Sequence, residues 1–162
     1  MFSVGDKVVH PMHGAGVIDQ IVTETIAGST QDYYVFQMPV GGLVLKIPIA
    51  SSEMVGLRDV WEESRSLKLL RELSTLEVEP VAGSWNQRNR ETMEKLKSGD
   101  LYQVAQVIKN LAYRDNQKGL STGERKMLRT AKQILITEMV LSIGQDYQEI
   151  EEQVNLSIAG GM

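Results

Sequence analysis

A change of hydrophobic period near residue 58 constrains this chain more than any other feature. Before it, apolar side chains alternate. In Leu43–Ile49, Leu43, Leu45, Ile47 and Ile49 share one face while Val44, Lys46 and Pro48 share the other, the period of a half-buried strand. Val4–His10, Val17–Ile26 and Asp32–Met38 read as further short strands, the last dense in Tyr33, Tyr34, Val35 and Phe36. Gly28-Ser29 and Gly41-Gly42 supply turns. Four or five short strands within about fifty residues predict a small antiparallel half-open barrel of the SH3 or Tudor kind. Pro48 cannot donate to a ladder, which places its strand, or the end of it, at a sheet edge open to another chain.

After residue 58 the period is helical. Val60, Ser64, Leu67, Leu70, Leu73 and Leu76 predict a connecting helix over Asp59–Thr75. Pro80 and Gly83 break it and mark a domain boundary. Three capping boxes then follow, Ser84–Gln87, Asp100–Gln103 and Ser121–Glu124, each fixing a helix start. The second helix carries Leu101, Val104, Ala105, Ile108, Leu111 and Ala112 on one face, and the third carries Met127, Leu128, Ala131, Ile134, Leu135 and Met139. An acidic helix over Asp146–Ile158 closes the bundle, with a Gly160-Gly161 end expected to fray. The expected fold is α+β: a Tudor-like module over 1–57, a connecting helix and linker over 58–82, and an all-α bundle over 83–162.

The 162 residues include no cysteine, which removes disulfides, thiolate catalysis and Cys-containing zinc sites and fits a reducing compartment. No apolar run reaches the roughly 18 residues of a membrane helix, and Met1–Asp6 lacks the basic and apolar regions of a leader. A monomer in the cytoplasm is the expectation. The net charge of −4 hides a pattern: Met1–Ala82 carries six basic against eleven acidic side chains, Gly83–Lys132 eleven against five, and Gln133–Met162 none against five. A basic block inside an acidic chain points to a local polyanion-binding surface, although solvated helix faces alone account for part of it.

Within that block Trp85 falls at the first helical position if Ser84 is the cap, with Arg88 one turn on and Arg90 nearby. A large apolar side chain at a helix tip, beside cations and free N–H groups, suits a wedge against an unstacked base step. Equally, it suits a hydrophobic staple at an interdomain joint. Arg125, Arg129 and Lys132, with Lys126 alongside, form a basic stripe opposite Ala131 and Ile134, either a phosphate-contacting face or a solvated one. His10 and His13 lack the further ligands of a metal centre and read as a turn. Gly14-Ala-Gly16 also reads as a turn, since no helix follows it. No catalytic constellation is present, so neither an enzyme nor a cofactor is expected.

Several segments together resemble the CarD/CdnL family of bacterial transcription regulators, whose N-terminal module is shared with the transcription-repair coupling factor. They are Val4–Gly16, Lys46-Ile-Pro48, Val55-Gly-Leu-Arg58, Trp85 with its basic neighbours, Glu94–Asp100 and Gly119–Leu128. The resemblance spans nearly the whole chain. It implies a factor whose Tudor-like domain binds the RNA polymerase β subunit, through the surface of Val44, Lys46 and Glu24. It further implies that the helical domain contacts promoter DNA without sequence specificity, Trp85 wedging into the minor groove at the upstream edge of the bubble and Arg88 and Arg90 holding phosphates. Lys46 matches the family's basic position, whereas Glu24 stands where a polymerase-contacting Arg is often found, and Gln87 and Asn89 dilute the basic run. The alternatives are a protein–protein adaptor that never touches DNA and a small metal-dependent hydrolase using His10 and His13.

Overall fold

The structure, a computed structural model, describes residues 1–79 and 83–160. Strands β1 (Lys7–His10), β2 (Gly14–Ile26), β3 (Ser29–Gln37), β4 (Val44–Pro48) and β5 (Arg58–Asp59) form one antiparallel sheet ordered β4-β3-β2-β1-β5. The edges β4 and β5 do not pair, so the barrel stays open, and β4 lies at the edge that Pro48 demands. The register of β2 on β3 shifts between Ile18 and Gln20. This bulge sets Ile18 opposite Phe36 and Ile21 opposite Tyr34, so two side chains three apart in sequence face the same side of the sheet. Val8, Ile18, Tyr34, Phe36, Met38 and Ile47 form the core of this module.

Gly14-Ala-Gly16 lies within β2 rather than in a turn, which instead spans residues 11–13. The two glycines are there for close approach. A Cβ at Gly16 would stand 2.7 Å from the Gln37 carbonyl oxygen, and one at Gly14, where φ is 104°, would collide with Thr137.

After the short helix α1 (Ser52–Val55), a second core lies in the helices α2 (Glu63–Glu72), α3 (Trp85–Lys97), α4 (Leu101–Lys118), α5 (Thr122–Ile143) and α6 (Tyr147–Gly160). The expected helix over Asp59–Thr75 is shorter: Asp59 belongs to β5, the α-helix begins at Glu63, and Leu73–Thr75 is a 3₁₀ turn. Ser66, Leu69 and Leu73 are its buried positions, while Ser64 is exposed. The phase differs because Arg58 and Asp59 pair with Val9 and Val8, a long-range ladder that no local period announces. Of the three capping boxes only Ser121–Glu124 is complete; Ser84 accepts from the Gln87 N–H without the reciprocal bond, and Asp100 accepts from Tyr102 rather than Gln103. Pro80 lies outside the described residues, as does Gly161; Gly160 still belongs to α6.

Helix α5 joins the two cores through a row of polar ties. Gln133 Nε2 donates to the His13 carbonyl at 2.8 Å, and Thr137 Oγ1 accepts from the Ala15 N–H at 2.9 Å. Glu138, fully buried, accepts both Arg58 Nη groups and the Trp61 N–H. Ser142 donates to the Trp61 carbonyl at 2.8 Å. Because Ser142 has one hydroxyl proton, Ser66 must be the donor in the 2.7 Å bond between their oxygens. Trp61 is further held by the Arg65 guanidinium, 3.6 Å over its ring.

Candidate functional site

Ser84 has an extended backbone and its Oγ accepts from the Gln87 N–H at 3.2 Å, which starts α3 at Trp85. Trp85 is therefore at a helix tip, and it is 50% exposed. Its indole reaches the first turn of α5, where a Cβ on Gly123 would stand 3.9 Å from Cζ2. The indole is thus partly covered by α5 and partly open to solvent.

The two neighbouring helix starts differ electrostatically. The first turn of α5 carries Glu124, whose carboxylate accepts from the Ser121 N–H and lies 2.9 Å from Arg114 Nε. That contact falls outside hydrogen-bond geometry, so it is a Coulombic pairing only. The first turn of α3 has no acidic residue, and its N–H groups retain their partial positive charge beside the indole. Arg88 closes that first turn, where a cation opposes the helix dipole, whereas Lys95 and Lys97 lie at the favourable C-terminal end.

The six basic and aromatic candidates do not form one patch. Trp85 and Arg88 line a groove of about 500 Å³ between α3 and α4, together with Tyr113, Arg114, Lys118 and Met127. Arg90 lies about 200° around α3 from Arg88, and is exposed on the other side. On α5, Gly123 and Met127 share the face that meets this groove, whereas Arg125 and Arg129 lie on the far side and Lys126 between. All three cations are exposed, and Lys132 is half-buried.

On the barrel, Glu24 and Lys46 are brought together as an ion pair on the outer face of the sheet. Neither periodicity nor charge counting places them in contact, since Glu24 is on β2 and Lys46 on β4. Val44, on the same face of β4 as Lys46, is 46% exposed. Sequence reasoning passed over Glu138 and Trp61, the contacts that fix the barrel on the bundle. Glu138 had a visible signal: an acid within the apolar face of Ile134, Leu135 and Met139.

His10 and His13 face each other with ring centroids 4.5 Å apart, and His10 Nδ1 accepts from the Met12 N–H at 3.1 Å. Burial, and secondly the neighbouring imidazole, lower the His10 pKa from 6.5 to about 4. Among the described residues no group of three or more His, Asp or Glu side chains is placed to hold a metal ion, and no helix is long and apolar enough to cross a membrane.

An open Tudor-like sheet is thus tied to a bundle of helices that carries a half-exposed tryptophan at the tip of α3. Residues 2–60 match the family model for the CarD-like/TRCF RID domain, and residues 67–155 match that for the CarD C-terminal domain. The chain is also 30% identical over 154 residues to the "Putative transcription factor YdeB" of Bacillus subtilis (strain 168), covering 93% of this chain and 98% of that protein. This chain belongs to the CarD family of transcription factors.

Proposed function

We propose that the protein binds the RNA polymerase β subunit through the β4 edge and the outer sheet face of Val44, Lys46 and Glu24. Its bundle then contacts promoter DNA without sequence specificity at the upstream edge of the bubble. Trp85 acts as the wedge, Arg88 and Arg90 hold nearby phosphates, and Arg125, Lys126 and Arg129 add attraction along the duplex. The division into a polymerase-binding module over 1–57, a connector over 58–82 and a DNA-binding module over 83–162 belongs to the same reading. No bond is made or broken. Favouring the open over the closed complex by about 1.4 kcal/mol shifts their ratio tenfold, within reach of one wedge and two charge-assisted contacts.

The half-exposed indole at the tip of α3 is the observation that carries this reading. Thermal unfolding and open-complex decay, measured on one Trp85→Ala preparation, test it. Decay should accelerate on a polymerase-bound promoter while the melting temperature moves little. A stability loss of roughly 3 kcal/mol, as for a truncated buried aromatic, or an unchanged decay rate, would overturn the wedge.

A further inference from the structure

The groove beside Trp85 is more than a gap between helices. Its floor is apolar, from Val78, Val107, Leu111 and Met127, and Tyr113 joins Trp85 in lining it, with the Tyr113 side chain 40% exposed. Of its cations, Lys95 is paired with Glu79 and Arg114 with Glu124. Arg88 and Lys118 have no ion-pair partner among the described residues, and Glu91 is the one lining carboxylate in the same condition. Lys118 ends α4, which brings it to the end of the bundle where α3 and α5 begin. An apolar floor, two aromatic side chains and two unpaired cations at one end match an object with a flat ring and an attached phosphate.

We propose that this groove receives one unpaired nucleobase from the melted promoter strand, held against Trp85 and Tyr113 with its phosphate on Arg88 and Lys118. This rests on the DNA reading above and gives it a second component. The wedge separates the last base pair, and the groove then retains the base that separation frees. Base stacking is tolerant of sequence because every base has a flat face, which agrees with contacts that do not depend on promoter sequence.

The test uses the full chain at low salt and fluorescence anisotropy with a short duplex bearing an unpaired strand end. A matched probe has an abasic site at the first unpaired position, so that the phosphates remain and the base is gone. The intact fork should bind about tenfold more tightly than the abasic one, as expected for one stacked base. Tyr113→Ala, at an exposed position, should lose a similar factor on the intact fork and almost nothing on the abasic fork. Tyr113→Phe should bind both probes as the parent does. Equal affinity of the parent for the two probes, or losses that add instead of overlapping, would overturn the groove. Trp85→Ala separates the two levels. If it weakens fork binding while the abasic site does not, the groove falls and the wedge stands; if Trp85→Ala binds the intact fork normally, the wedge and the groove fall together.

Discussion

Arg58 and Glu138, eighty positions apart, meet in a two-pronged contact, with Nη1 2.8 Å from one carboxylate oxygen and Nη2 2.7 Å from the other. Glu138 is fully buried and takes a third hydrogen bond from the Trp61 N–H, so its charge is met on both oxygens. The pair fixes β5 on α5, and with it the direction in which the barrel points relative to the tip of α3.

Removing Arg58 leaves the buried Glu138 carboxylate with the Trp61 N–H as its remaining donor, whereas removing Glu138 leaves a guanidinium that is already partly exposed. Arg58→Ala, which strands the carboxylate, should lower stability by about 3–5 kcal/mol by chemical denaturation. Glu138→Gln, which retains an acceptor for Trp61, should cost distinctly less than Glu138→Ala. Equal losses for the two Glu138 variants would mean that the Trp61 bond contributes nothing.

Lys46 and Glu24 respond in opposite directions. Glu24 occupies the Lys46 ammonium within the free protein, so a polymerase docked on this face, as proposed, would compete with an internal partner for it. Glu24→Gln should strengthen pull-down of RNA polymerase, and Lys46→Glu should weaken it, each changing fold stability by less than about 1 kcal/mol because the pair is on the surface. Unchanged docking in both variants would remove this face from the proposed interface.

DNA binding by the protein alone should be weak and dominated by phosphate contacts. Affinity for a duplex should fall steeply between low and physiological salt and vary little among sequences of equal shape. Neutralising Arg125 and Arg129 together should flatten the slope of log affinity against log salt by about two contacts. A salt response unchanged by that double variant assigns the stripe to solvent.

His10 sets a pH window. Its folded-state pKa is lowered to about 4 from an ordinary 6.5, so between those values the unfolded chain binds the extra proton. Stability is fully present above about pH 6.5 and declines as pH falls toward 4. Protonation at Nδ1 would also end the acceptance from the Met12 N–H. His10→Asn retains an acceptor without titrating. Its unfolding free energy should depend less on pH across this window than that of the parent, and parallel curves would refute the assignment.

The legible features were those governed by neighbours a few residues away. Ser84 followed by Trp85 and Gln87 is a local signal, and the structure starts α3 there. Pro48 forbids an interior strand position through its own missing donor, and β4 lies at the edge. The stripes of α4 and α5 follow from a period that the backbone imposes on any amphipathic helix. What failed was whatever depended on partners distant in the chain. The connecting helix was misphased because β1 captures Arg58 and Asp59, and Gly14-Ala-Gly16 was misplaced because Phe36, Gln37 and Thr137 determine the space around it.

For the candidate site the division has the same cause. Sequence alone supplied Trp85, the arginines and the basic excess of Gly83–Lys132, because residue identity and helical position carry them. Only the tertiary structure paired Glu24 with Lys46, joined Arg58 to Glu138, and set Tyr113 and Lys118 around the groove that Trp85 borders. It also turned Arg90 and the α5 stripe away from that groove. Such contacts arise from how two independent cores dock. Docking is decided by the summed fit of many side chains, so no short stretch of the chain encodes it.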